Sequence, residues 1–314
     1  MNALRWLGRQ GTRAIAGIVL LAVVTPAMGA ALQPFVSEAV FVLLCIAFLR
    51  VDAVALSTQL GRPGRLVVAL AWVSLVPPLL VGSVCLALGL PALAPALFVG
   101  LMLQSMASPM TSSPALAALM GLDATLALLL LVGSTALVPL TVPLFAEVFL
   151  GPVSGLSPGQ LGLRLLGLLA GALVVAGVVR RWVGPAAIQR HAEALNGISV
   201  MILFIFVSAM MAGFVEQFLA DPWRGVRWAG LSFALSLVMM GLTAWAFRHT
   251  GQRQALALAF VTTQRNMGLM LAVAGTSLEP AVWFYFAIAQ FPIYLLPQLL
   301  QPLVRRWVVV PGSV

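Results

Sequence analysis

The stretch Ala259–Leu271 reads AFVTTQRNMGLML. Five polar residues in a row, Thr262, Thr263, Gln264, Arg265 and Asn266, separate two apolar flanks. If the flanks are membrane helix, an arginine lies near mid-bilayer, 12 residues beyond Arg253 and 14 before Glu279. An arginine at that depth costs about 2.5–3.5 kcal/mol on insertion scales, so its surroundings must compensate. What compensates it decides the fold.

Composition settles the flanks. The chain is 62% hydrophobic and 8% charged, whereas a soluble domain carries about 25% charged residues. Its apolar segments run to about 20 residues, the length a helix needs to cross roughly 30 Å of hydrocarbon. A membrane β-barrel alternates apolar and polar residues, which runs such as ALLLLV (127–132) do not. The expected fold class is therefore an all-α polytopic membrane protein. Cys45 and Cys85 both lie in apolar runs and outline no disulfide or metal framework. The apolar run after Arg5, Arg9 and Arg13 is long enough to span, and TPAMGAAL (25–32) is a mediocre cleavage site. That run is read as a first spanning helix, not a signal peptide.

Breaks at Gly, Pro and charged residues divide the chain into ten candidate helices: 14–32, 36–57, 64–89, 93–119, 123–149, 160–182, 194–218, 225–248, 252–276 and 280–304. With residues 1–13 in the cytoplasm, Arg5, Arg9, Arg13, Arg50, Arg62, Arg65, Arg180, Arg181, Arg190, Arg248, Arg253, Arg305 and Arg306 share the cytoplasmic side. Only Arg164, Arg224 and Arg227 fall opposite. This is the positive-inside pattern, and it places both termini, including the tail 305–314, in the cytoplasm of a bacterial-type inner membrane. The net charge of +9 is thus topological and implies no nucleic-acid partner.

The Gly/Pro/Ser-rich loop 150–159 (LGPVSGLSPG) separates helices 14–149 from helices 160–304, five and five. An odd number per half forces opposite orientations, as in transporters built from inverted repeats. The test is a shared anomaly at equivalent positions. Helix four contains QSMASPMTSSP (104–114), polar and twice interrupted by proline, and helix nine contains TTQRN. Paired interruptions point to broken helices 4 and 9 that cross near the membrane midplane.

Arg265 has two readings: a structural cation on unwound carbonyls, or a charge facing a central cavity that attracts an anion. Ser108, Thr111, Ser112 and Ser113 offer hydroxyls for a cavity wall, though any one of them could instead bond backbone or join helices. Pro109 and Pro114 remove backbone donors and free carbonyls. Thr262, Thr263, Gln264 and Asn266 complete the candidate crossing. Asp123 is read as a helix N-cap. No phosphate loop, zinc spacing or nucleophile motif is present, so no enzyme and no cofactor are expected.

The run SSPALAALMGLDATLALLLLVGSTALVPLTVP (112–143) resembles helices four and five of the bile acid:sodium symporter (BASS) family, with Ser134-Thr135, Pro139 and Pro143 in the family spacing. The segment TTQRNMGLMLA resembles its ninth-helix motif, with Asn266, Gly268 and Leu269 matching. The resemblance implies ten helices, a core domain of helices 3–5 and 8–10 that carries the crossing, and a panel domain of helices 1, 2, 6 and 7 that moves against it. It implies sodium ligands as well, and here the chain departs. The family positions fall on Ser113, Pro114, Ala127, Leu131, Val261 and Arg265, and a third-helix glutamine falls near Trp72. Sodium is thus a doubtful partner, and Arg265 stands where bound sodium would supply positive charge. The expected function is secondary transport of a small organic anion with sodium coupling lost or altered. Alternatives are a sodium symporter using backbone ligands, an arsenite-efflux-like carrier, or a non-transporting membrane sensor. The arsenite family's intramembrane cysteine is missing from 104–119.

Overall fold

The computed structural model describes residues 17, 21, 25–50, 63–151 and 157–308. Among them the chain is almost entirely helical, and the β-type pairing there is one isolated antiparallel bridge, Pro109 to Arg265. The helices are α1 (Pro26–Leu32), α2 (Val36–Arg50), α3 (Pro63–Ala87), the short α4 (Leu90–Leu93), α5 (Pro95–Met106), α6 (Ser113–Leu119) and α7 (Ala124–Phe145). After a π-turn and the loop follow α8 (Pro158–Val183), α9 (Pro185–Arg190), α10 (Ala192–Met210), α11 (Phe214–Ala220) and α12 (Pro222–Ala246). The chain continues with α13 (Gln252–Thr263), α14 (Met267–Ala274) and α15 (Pro280–Val308).

Proline sets many of these starts: Pro26, Pro63, Pro95, Pro158, Pro185, Pro222 and Pro280 each open a helix, where the missing N–H is an orphan anyway. Glycine sets ends. Gly213, at φ 70°, takes the left-handed conformation that turns α10 into α11. Asp123 caps α7 as expected, its carboxylate accepting from Leu126 N at 2.9 Å.

Seven helices among the described residues are long and apolar enough to cross a membrane, and Pro95–Met106 is a shorter apolar one. The fourth and ninth expected helices are each in two pieces, α5 with α6 and α13 with α14. One expected boundary is wrong. Gln33-Pro34 does not separate two helices; α1 passes through a 3-10 turn (Gln33–Phe35) straight into α2. The tighter turn absorbs the missing donor and ring of Pro34. The actual break is at Thr25, with φ −122° and ψ 59°, just before Pro26. The last helix also runs past 304, to Val308. Residues 1–13, most of the first expected helix, 51–62 with Asp52 and Arg62, 152–156, and 309–314 lie outside the described residues.

The helices gather in two groups. In one, α2 packs on α8 and α10, and α10 also on α1. In the other, α3 packs on α5 and α7, α12 on α13 and α15, and α6 and α13 both on α7. The groups meet where α8 lies on α7 and where α14 lies on α2 and α8. Burial divides along a different line. One apolar cluster joins residues such as Phe98, Val138, Leu165, Phe206 and Leu269. A second joins Ala69, Val73, Ala117, Leu130, Leu258 and Val261. The residues Gln104, Ser105, Ser108, Ser113, Thr262, Thr263, Gln264 and Arg265 are polar and buried, and they make up the candidate site.

Candidate functional site

The first break begins where α5 ends. Ala107 turns extended, φ −62° and ψ 147°, and Pro109 offers no N–H. The second begins at Gln264, φ −83° and ψ 84°, which ends α13. The two interruptions run antiparallel and pair: Met110 N donates to Gln264 O at 2.7 Å, and Asn266 N donates to Ser108 O at 2.8 Å. Buried backbone must be satisfied in lipid, and each break supplies the other's partners. The chain then re-enters helix at α6, with Pro114 in its first turn. On the other side it re-enters at α14, which Asn266 caps by accepting from Leu269 N at 3.2 Å.

Arg265 is 4% exposed. Its Nη1 donates to Ala107 O at 2.7 Å and its Nη2 to Val73 O at 3.0 Å. Both acceptors are orphans for definable reasons. Ala107 O ends α5, where no later turn donates to it. Val73 O lies four residues before Pro77, inside α3, and proline has no N–H to give it. The guanidinium therefore replaces two missing backbone donors, and charge-assisted bonds of this kind are roughly twice as strong as neutral ones. Its position at the end of α5 also meets the negative end of the helix dipole. Among the described residues no carboxylate pairs with it.

The other candidates divide. Thr262 and Thr263 donate back to Leu258 O and Phe260 O, both at 2.8 Å, which occupies their hydroxyl protons within α13. Ser108, Ser112 and Ser113 Oγ and Gln264 Oε1 are buried without a partner. Thr111, Arg265 and Asn266 line a cavity of about 40 Å³, together with Val40, Leu43 and Leu44 of α2 and Leu203 and Phe206 of α10. The cavity thus lies between the two helix groups. Sequence reasoning missed two of its polar residues, Gln290 and Tyr294 of α15. They are four apart on one helix face, and a glutamine in the apolar first half of α15 was the available signal. Gln290 Nε2 donates to Phe286 O at 3.2 Å. Behind the crossing, Thr262, Thr263 and Arg265 border a second space of about 20 Å³ with Gln104, Ser105 and Ser236. Gln104 Oε1 there accepts from Tyr285 Oη.

Gly268, the second residue of α14, explains how close the groups come. A Cβ there would lie 2.9 Å from Phe206 Cζ and 3.3 Å from Val40 Cγ2.

The positions where the resemblance puts sodium ligands do not fit sodium. Ala127 and Val261 belong to the apolar cluster, Leu131 is buried, and Pro114 opens α6. Trp72, near the expected glutamine, donates Nε1 to Thr243 Oγ1 at 3.0 Å and packs edge-on to Phe247. Hard cations take oxygen ligands, and of these side chains only Ser113 offers one.

No curated protein matches the chain. A family model does: that of the sodium bile acid symporter family, over residues 38–221. That match covers more than half of the chain and includes the first break, α6 and α7. Members of the family are membrane transporters, not enzymes, and with its apolar helices the chain is a multi-pass membrane protein that belongs to the sodium bile acid symporter family.

Proposed function

We propose that this chain is a secondary transporter that carries a small organic anion by alternating access, with no sodium ion at the crossing. The observation that carries the proposal is the bonding of Arg265. In this reading its guanidinium does permanently what a bound cation would do transiently: it ties together the carbonyls at the crossing and leaves positive charge beside the cavity. Arginine stays protonated in proteins, so that charge does not depend on an ion gradient. A sodium ion about 4 Å from it would meet a repulsion of about 4 kcal/mol at an effective dielectric of 20. That is about a thousandfold in affinity, and among the described residues no carboxylate offsets it.

Around this site we place ten helices as two inverted repeats of five, with both termini on the cytoplasmic side of a bacterial-type inner membrane. The group of α1, α2, α8 and α10 is the panel, and the group around the crossing is the core. An anion bound between them contacts Arg265, Thr111, Asn266 and Gln290 and is released to one side when the groups separate there. The organic part of the anion packs on Leu43, Leu44, Leu203 and Phe206.

A second reading rests on the same two bonds: Arg265 is a staple only and never meets substrate. A thermal-shift screen of the purified full chain against carboxylates and sulfonates, in sodium chloride and in potassium chloride, separates the readings. The proposal expects stabilisation by at least one anion, equal in both salts and absent in Arg265→Gln. Stabilisation that requires sodium sinks it. Stabilisation that survives in Arg265→Gln favours the staple.

A further inference from the structure

The half-helices that leave the crossing, α6 and α14, each end in carbonyls without helical partners. Their last turns are satisfied in different ways. Beyond α6, Gly121 O accepts from Arg253 Nε at 3.1 Å, and Leu119 O accepts from Gln301 Nε2 at 3.2 Å. Arg253 belongs to α13 and Gln301 to α15, so these donors come from the same helix group as α6 itself. At the end of α14, Ala272 O accepts from Ser37 Oγ at 3.0 Å, and Val273 O accepts from Arg164 Nη1 at 2.9 Å. Ser37 belongs to α2 and Arg164 to α8, the other group, across the cavity.

The placement of these bonds gives them a consequence. Ser37 lies one turn along α2 from Val40, which lines the cavity, and Ala272 lies one turn along α14 from Gly268. The two bonds therefore sit directly over one side of the Arg265 cavity, the side where Gly268 packs on Phe206 and Val40. Any ligand entering from that side must first part α14 from α2 and α8. Parting them removes the donors from Ala272 and Val273. The same motion leaves the bonds of Arg253 and Gln301 intact, because donor and acceptor there move together. Ser37 and Arg164 are both exposed, so water can take over the freed carbonyls and the contact is reversible. Arg164 also places its charge at the negative end of α14, which favours the closed arrangement.

We infer that Ser37 and Arg164 form a latch that closes the α14 side of the cavity and sets the balance between closed and open arrangements on that side. The inference deepens the transport reading and rests on it for the meaning of the open state. The latch needs no ligand, so its balance is measurable in the unliganded protein.

The test uses electron–electron distance measurements on the full chain in nanodiscs. Spin labels go on Gln160→Cys, at the exposed start of α8, and Ser277→Cys, at the exposed turn after α14, with Cys45→Ala and Cys85→Ala. The expected result is one dominant short distance in the parent. Ser37→Ala with Arg164→Gln then raises the population of a longer distance by about tenfold, the effect of two ordinary hydrogen bonds. Arg164→Lys, which keeps a donor and the charge, restores the short distance in the Ser37 background. Arg253→Gln with Gln301→Ala, at the opposite end, leaves it unchanged. An unaltered distribution in the Ser37/Arg164 variant overturns the latch, as does an equal opening in the Arg253/Gln301 variant. A latch that responds as expected in a protein that takes up no anion stands, and the transport reading fails by itself. Normal uptake with no change in distance removes the latch alone.

Discussion

The two breaks at the crossing are unequal partners. The first, from Ala107 to Ser112, is longer, carries Pro109, and contributes carbonyls and unpartnered hydroxyls. The second, Gln264 to Asn266, is three residues; its Asn266 amide donates to Ser108 and its Arg265 guanidinium to Ala107, while Gln264 O accepts from Met110 N and the Asn266 side chain accepts from Leu269 N as a cap. The backbone exchange is mutual, and the side-chain bond runs one way, from Arg265 to Ala107. The difference teaches that a polar interruption within a membrane is not one kind of feature. An interruption rich in proline and serine creates acceptors, and it needs a donor-rich interruption elsewhere in the chain to be stable.

The largest effect expected from breaking this asymmetry is at Arg265. Arg265→Gln strands Val73 O and Ala107 O in a buried setting, at about 1–3 kcal/mol each. Relief of the buried charge offsets part, so a net loss of about 2 kcal/mol is expected in equilibrium unfolding from mixed micelles. A loss below about 0.5 kcal/mol would show that the first break stands unaided. Pro77→Ala sharpens the point, because it returns an N–H to Val73 O within α3. In the Arg265→Gln background it recovers about 1 kcal/mol, whereas in the parent chain it recovers little. A double-mutant cycle with no coupling between the two positions rejects the proposed partnership.

Next in size is Gly268→Ala, where the new methyl must push Phe206 and Val40 aside. The overpacking costs about 1–3 kcal/mol, read as a lowered melting temperature. Asn266→Ala removes a cap bond and costs about 1 kcal/mol. The smallest effect is at the corresponding N-cap of the first break. Ser112 makes no side-chain cap bond, so Ser112→Ala changes stability by less than about 0.5 kcal/mol. Equal losses for Asn266→Ala and Ser112→Ala would erase the distinction between the breaks.

Much of this was legible in the sequence, for reasons that particular residues make clear. A run such as TTQRN has no place in a lipid-facing helix, so the residues alone announce the interruption. The matching anomaly at 104–114 told where its partner lay. The missing sodium ligands were visible as apolar residues at Ala127, Leu131 and Val261. The partners of Arg265 were not visible, because Val73 lies 192 residues away and Ala107 158. Yet the need at Val73 was written in Pro77, four residues on. Pro34 misled for the opposite reason: a tightened turn let the helix pass through a residue that usually ends one. Gln290 escaped notice because it stands alone in the apolar first half of its helix, with no pattern around it.

The length of α5 has a consequence for how the protein is made. Twelve residues of helix reach about 18 Å, little more than half of the hydrocarbon core, and its last carbonyl waits on Arg265. Synthesis proceeds from the N-terminus, so Ala107 emerges 158 residues before its donor. For that whole interval the end of α5 has no permanent partner, and lipid cannot supply one. The growing chain must keep this end near water or a helper protein, and the crossing closes only once α13 arrives. The arginine that looked like a burden on the bilayer is then the piece that completes the first break, delivered by the second.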